Sequence, residues 1–221
     1  MSMSLDASKK LIPVTGVILA GGKSRRMGEN KALMRLGDNS LIGHVIHRMC
    51  LVTNELLLIT NSPAEYAHLD VPMHGDILLG TGALGGIYTG LKRASHNTVL
   101  CVACDSPFVE PKLLTYLVSV LGEYDAVMPY THREIHASHN DVQITLQTLC
   151  AAYSKRCLPI IKSMLRDSEL RVHALQERAH IKRVSPEVWQ AFDPEGMSFF
   201  NINTPEDLES ADTYMSMQTT R

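Results

Sequence analysis

A chain of 221 residues that is 45% hydrophobic and 20% charged can bury one sizeable core, and it sits at the upper end of single-domain size, so one domain over 1–221 is expected. A formal net charge of -2, with both signs interspersed, excludes the global basic field that gathers nucleic acid; any polyanion must be met locally. No stretch approaches the roughly 20 apolar residues that span a bilayer, and the polar start Met1 to Lys10 lacks an apolar signal core, which predicts a cytoplasmic protein with no membrane partner.

In chain order, residues 14–19 are apolar and β-branched and run into Ala20, Gly21 and Gly22, the pattern of a buried strand entering a tight loop. Ser40 caps a predicted helix over 41–50, and ELLLIT at 55–60 is a second strand stopped by Asn61, Ser62 and Pro63, which makes a βαβ unit. The glycine-rich segment 75–86 leads into a helix through Tyr88, Leu91 and Ala94. TVLCVA at 98–103 is a third buried strand, ending on Cys104 and Asp105, and Pro111 opens a helix through Leu121. Residues 125–129 read as a strand, 131–141 as a polar loop, 142–153 as one long strand-like segment and 157–165 as a helix. A short strand over 199–202 then precedes a strong helix start, with Thr204 as N-cap, Pro205 in the first turn and Asp207 at the third position. The ordered core should span about 14–214, the ends being loosely held. This alternation predicts a doubly wound three-layer α/β/α, Rossmann-like domain with a mostly parallel sheet and ligands beyond the carboxyl ends of its strands.

The segment LAGGKSRRMGENK, from Leu19 to Lys31, suits a triphosphate. Backbone N–H groups free of bulky side chains can approach phosphate oxygens, and Lys23, Arg25, Arg26 and Lys31 can neutralise them. GVILAGGKS is nearly the GxxxxGK[ST] loop of P-loop NTPases, but that motif needs a glycine where Val17 stands, and VILA is strand material. Asp105, in CDSPF at a strand end, is a candidate Mg²⁺ ligand, against the alternative of capping the turn before Pro107. His132, His136 and His139 are expected to be solvated rather than ligating. The five cysteines should be reduced, and because the CxxC pair Cys101 and Cys104 lies in an apolar run, it, Cys150 and Cys157 should be buried thiols rather than a zinc site. Asn201 and Asn203 alternate around Ile202 and can face the crevice together, or form an Asx turn ahead of Thr204.

These pieces resemble the molybdenum cofactor guanylyltransferase family. LAGGKSRRMG with Lys31 is similar to its LAGGxSxRMGxDK loop, GALGGIYTGL at 82–91 to its GPLGGIxxGL turn, and CDSPF to its CDxPF. QTLCAAY at 147–153 is similar to its QPLxAxY strand, and FNINTPEDL at 200–208 to its closing FxNxNTPEDL. The resemblance implies a nucleotidyltransferase fold and transfer of GMP from GTP to the phosphate of molybdopterin, with Mg²⁺ as cofactor. Other cofactor-synthesis proteins and molybdoenzymes are the implied further partners. By the same resemblance Leu19, Ala20, Gly21 and Gly22 contact the nucleotide, Lys31 and Arg25 its phosphates, Asn61 and Asp76 the nucleoside side, and Asp105 both nucleotide and metal; Asn201 and Asn203, from their alternation around Ile202, are the candidates for the acceptor side. A cytidylyltransferase is the alternative within the class; a P-loop-like NTPase or a non-catalytic GTP-binding module are the alternatives outside it. Asn30, Ala83 and Thr148 depart from the pattern, the first removing a negative charge beside Lys31 and the second leaving a more flexible turn.

Overall fold

The computed structural model describes residues 13–21, 30–134 and 142–219. Its frame is a mostly parallel sheet flanked by helices. Strand β1 (Val14–Leu19) lies at the centre, parallel to both β4 (Glu55–Ile59) and β6 (Thr98–Ala103). Beyond β4 lies the short β5 (Met73–His74), also parallel; beyond β6 lies β9 (Cys150–Ser154), which is antiparallel to β6 and to β7 (Ala126–Glu134). β10 (Ile181–Val184) closes that edge, parallel to β7, while β8 (Val142–Leu146) pairs with the outer part of β7 as a hairpin. A small separate hairpin joins β2 (Arg35–Leu36) and β3 (Asn39–Ser40).

Successive residues of β1 point to opposite faces, so each face carries its own core. Ile18 packs with Ile42, Val45 and Met49 of α1 (Leu41–Cys50) and with Leu113, Leu114 and Leu117 of α3 (Pro111–Ser119). Val17 and Leu19 pack on the other face with Leu84, Ile87 and Leu91 of α2 (Gly82–Arg93) and with Ile161 and Met164 of α4 (Cys157–Arg166). Each fully buried side chain of this kind contributes about 1.5–3 kcal/mol. Helix α2 lies so close to β1 that a Cβ on Gly90 would stand 2.7 Å from Val17 Cγ1, so only glycine fits there. As the sequence predicts, Ser40 caps α1, accepting from the Gly43 N–H at 3.2 Å.

Four expectations need correction. The polar stretch from Thr131 onward begins as strand, because its partners Gln143, Ile144 and Thr145 form a solvent-exposed hairpin that needs no apolar alternation. The long segment 142–153 is two strands, broken where the Gln147 N–H turns back to Pro129 O at 2.8 Å. Residues 199–202 form no strand: Met197–Phe199 is a 3-10 turn, and the segment is tied to the turn after β6 by the Ile202 N–H, donating to Asp105 O at 3.1 Å, and by Asn201 Oδ1, accepting from Ser106 Oγ. Helix α2 starts within GALGG, so Ala83 lies in its first turn rather than in a flexible loop. After the short α5 (Pro186–Trp189), the final helix, α6 (Pro205–Thr219), continues past Tyr214, whose ring meets Phe108 edge-on at 5.0 Å over a third small core of Leu36, Leu41, Ile202 and Ala211.

Candidate active site

The carboxyl ends of β1, β4 and β6 meet in one place. The Ala20 N–H donates to Ile59 O at 2.9 Å and the Cys104 N–H to Leu19 O at 3.2 Å, so the chain leaves β1 clamped between its neighbours. Leu19 and Ala20 are buried there, whereas Gly21 is exposed and a Cβ on it would stand in open space. Gly22, Lys23, Arg25 and Arg26 lie outside the described residues.

Lys31 opens the 3-10 turn Lys31–Leu33, whose N-cap is Asn30. Only 7% of Lys31 is exposed, and its Nζ donates to Asp105 Oδ2 and to Asn203 Oδ1, each at 2.8 Å. An ammonium that far from water requires such partners, since an unpaired one would lose its proton or unfold its surroundings. Three distant segments therefore converge on one amine: the turn after β1, the turn after β6 and the approach to α6. The last is fixed by a capping box. The Asn203 and Thr204 N–H groups donate to Asp207 Oδ2 at 2.8 and 2.9 Å, and the Asp207 N–H returns to Thr204 Oγ1 at 3.1 Å. The Asn203 N–H bond is the foremost cause that holds the Asp207 carboxyl below the usual carboxylate range; burial opposes it, and the Thr204 bonds and the Lys31 charge add to it.

The Asp105 side chain is 23% exposed, with one oxygen committed to Lys31 and the other without a hydrogen-bond partner among the described residues. Among those residues no group of three or more His, Cys, Asp and Glu gathers around a common point. A lone, open carboxylate fits Mg²⁺, which takes one or two carboxylates from a protein and completes its shell with phosphate oxygens and water. It does not fit zinc. Burial pushes the Cys104, Cys150 and Cys157 thiols up to about 12 and raises Cys101 as well; Cys101, Cys150 and Cys157 are buried, as expected, whereas Cys104 is half-buried.

On the β4–β5 side, Asn61 and Asp76 hold each other. Asn61 Nδ2 donates to Asp76 Oδ2 at 2.8 Å, and the Asp76 N–H donates to Asn61 Oδ1 at 2.9 Å. The Ile77 N–H donates to Thr89 Oγ1 at 3.0 Å, which ties this loop to α2. A Cβ on Gly86 would stand 3.1 Å from Leu19 and 3.8 Å from Asp76 Oδ1, so Leu19, Gly86 and Asp76 lie side by side. On the opposite side, a cavity of about 410 Å³ is walled in part by Thr131, His132, Gln147, Phe199 and Phe200. His132 is exposed on β7; His136 and His139 lie outside the described residues.

Asn201 and Asn203 both come to the site but are engaged within the protein: Asn201 Oδ1 accepts from Ser106 Oγ at 2.7 Å, and Asn203 Nδ2 donates to Asn201 O at 3.3 Å. The contact of Asn203 with Lys31 is invisible in a sequence because the two are 172 positions apart. The partners of Asn30 were missed as well. No sequence pattern marks Glu65 or Tyr66, although a polar residue just before the lysine was a signal that something must orient it.

A family model described as the MobA-like NTP transferase domain matches residues 16–182. The molybdenum cofactor guanylyltransferase of Desulfosudis oleivorans is 32% identical over 201 residues, covering 90% of this chain and 94% of that protein. A probable molybdenum cofactor guanylyltransferase of Pelotomaculum thermopropionicum is 35% identical over 201 residues, covering 91% and 93%. Among solved structures, molybdopterin-guanine dinucleotide biosynthesis protein A from Archaeoglobus fulgidus superposes with a TM-score of 0.76 over 92% of this chain and 99% of that one, at 24% identity, which is a likeness of fold.

Proposed function

The chain belongs to the MobA-like NTP transferase family, and from that premise we propose that it transfers GMP from GTP to the terminal phosphate of molybdopterin, releasing pyrophosphate. The observation that carries the reading is the buried Lys31 amine, held by Asp105 and Asn203 where β1 and β6 end. An acceptor phosphate oxygen attacks the α-phosphorus, a new P–O bond forms, and the bond from the α-phosphorus to the bridging oxygen of the β-phosphate breaks. Little covalent work falls to the protein; it must position the ends and absorb charge.

Lys31, with Arg25, neutralises the phosphates, and the Lys31 ammonium is worth more in a site screened from water than at the surface. Asp105 would hold Mg²⁺, which when bound supplies Lewis-acid stabilisation of phosphate oxygens. The backbone from Leu19 to Gly22 approaches the nucleotide. Asn61 and Asp76 offer a carboxylate and an amide on the nucleoside side; a carboxylate accepts from guanine N1–H and its exocyclic amine, whereas cytosine presents a different edge. The cavity beside Gln147, with Phe199 and Phe200, leaves room for the acceptor on the other side. A nucleotide panel with purified molybdenum cofactor, scored for pyrophosphate, tests this. GTP should be preferred over CTP and ATP, by up to roughly 10⁴ where the wrong base leaves buried polar groups unpaired. Equal turnover with CTP would make the protein a cytidylyltransferase, and multiple-turnover release of inorganic phosphate a hydrolase.

A further inference from the structure

We propose that Glu65 and Tyr66 are positioning residues for Lys31, acting through the side-chain amide of Asn30; this rests on the reading of Lys31 as the phosphate-binding amine. Glu65 and Tyr66 lie on the 3-10 helix Pro63–Tyr66, which begins two residues after Asn61. Asn30 Oδ1 accepts from the Ala32 N–H and from Tyr66 Oη, each at 3.1 Å, and Asn30 Nδ2 donates to Glu65 Oε2 at 2.5 Å.

The chemistry of the partners fixes the amide in one orientation. A backbone N–H can only donate, so the oxygen faces Ala32 and the turn that carries Lys31; a carboxylate can only accept, so the nitrogen faces Glu65. Tyr66 is buried, and burial above all pushes its phenol up to about 12 against the lowering effect of the Asn30 bond, so it remains an O–H donor through the neutral range. Tyr66 belongs to the core cluster against which Cys104, the neighbour of Asp105, also packs. One short helix thus touches the turn bearing the lysine and shares a core with the turn bearing its carboxylate partner. It also begins next to the nucleoside-side Asn61. Three bonds from Asn30 set the rotation of the Lys31 turn, and with it the line along which Nζ reaches Asp105 and Asn203.

Position 30 therefore needs an amide because position 65 is a carboxylate. Asn30→Asp would set two anions against each other, and Glu65→Gln would relieve them. The full-length protein and the variants Asn30→Asp, Glu65→Gln, the double variant and Tyr66→Phe are compared in two ways. The first is the rate at which Lys31 is acetylated by a small amine reagent, read by peptide mass; the second is KM for GTP and kcat in the pyrophosphate assay. Asn30→Asp should speed Lys31 labelling and raise KM for GTP, each roughly fivefold or more, and the double variant should return within about twofold of the parent. Tyr66→Phe, which removes a single hydroxyl, should move labelling in the same direction as Asn30→Asp. Unchanged labelling in Asn30→Asp, or a double variant no better than Asn30→Asp, would overturn the proposal. If the parent protein releases no pyrophosphate from GTP, the guanylyl-transfer reading fails, while the labelling comparison still decides the positioning role.

Discussion

Replacing Asp105 by asparagine separates a charge from a shape. The amide keeps an oxygen that can accept from Lys31 Nζ, now 2.8 Å from Asp105 Oδ2, and Asn203 Oδ1 holds the amine at the same distance from the other side, so the lysine is not orphaned. What is lost is the ion pair. Because the Asp105 side chain is 23% exposed, solvent screens part of that loss, and a cost of about 1–2 kcal/mol is appropriate. For a protein of this size that lowers Tm by a few degrees. Transfer should fall much further, by at least about 10², since a carboxylate that ligates Mg²⁺ against the phosphates is asked for about 2.7 kcal/mol or more of the barrier. Raised Mg²⁺, or Mn²⁺ with its higher intrinsic affinity, should restore part of it. Steady-state pyrophosphate release across a metal titration, beside a melting curve, measures both. Full activity of Asp105→Asn at ordinary Mg²⁺ would refute the assignment and leave Asp105 as a turn cap with a lysine partner.

Lys31→Ala should weaken GTP binding and slow transfer together by about 10²; unchanged kinetics would pass the role to Arg25 or Lys23. Asp76→Asn should narrow the preference for GTP over CTP while leaving kcat with GTP less affected, read from the same nucleotide panel. At the far end of the sheet, burial works to raise the Glu55 carboxyl, but bonds from Thr15 Oγ1 at 2.5 Å and from Ser95, together with His96, outweigh it and hold the group below its ordinary value. A depressed folded-state pKa contributes stability that is full above the ordinary carboxylate value and vanishes as pH falls through the depressed one. Melting temperatures of the parent and Glu55→Gln should therefore differ at neutral pH and converge in acid; a gap that persists unchanged there would contradict the assignment.

The parallel centre of the fold was legible because β1, β4 and β6 are buried on both faces and read as continuous apolar runs. β5 and β10 were not: they lie toward the margins of the sheet, where two to four residues of mixed polarity suffice for pairing. The antiparallel insertion of β9 was likewise out of reach, since direction depends on which strand lies beside it. At the site, Asp105 stands out by residue type at a strand end, Lys31 as the lysine that follows the glycine-rich segment, and Asp76 with the family pattern beside it. Their relation does not. That Asn203 meets Lys31 and that Asn30 answers to Glu65 are facts of distance, settled by packing between segments far apart in the chain. The glycine loop is the reverse case: most of it was read from sequence, and Gly22 and Arg25 lie outside the described residues.

The approach to α6 has a consequence for synthesis. Asn203 closes on a lysine made 172 residues earlier, and Ile202 closes on the end of β6. A ribosome adding about 5–20 residues per second has produced the whole parallel centre of the sheet well before it reaches them. Until then the Lys31 amine lacks one of its two acceptors and the small core over Phe108 lacks its cover. The emerging polypeptide can thus gain a sheet while its Lys31 amine is still half-held, and on the proposed function nucleotide affinity should arise only once the last helix has left the exit tunnel.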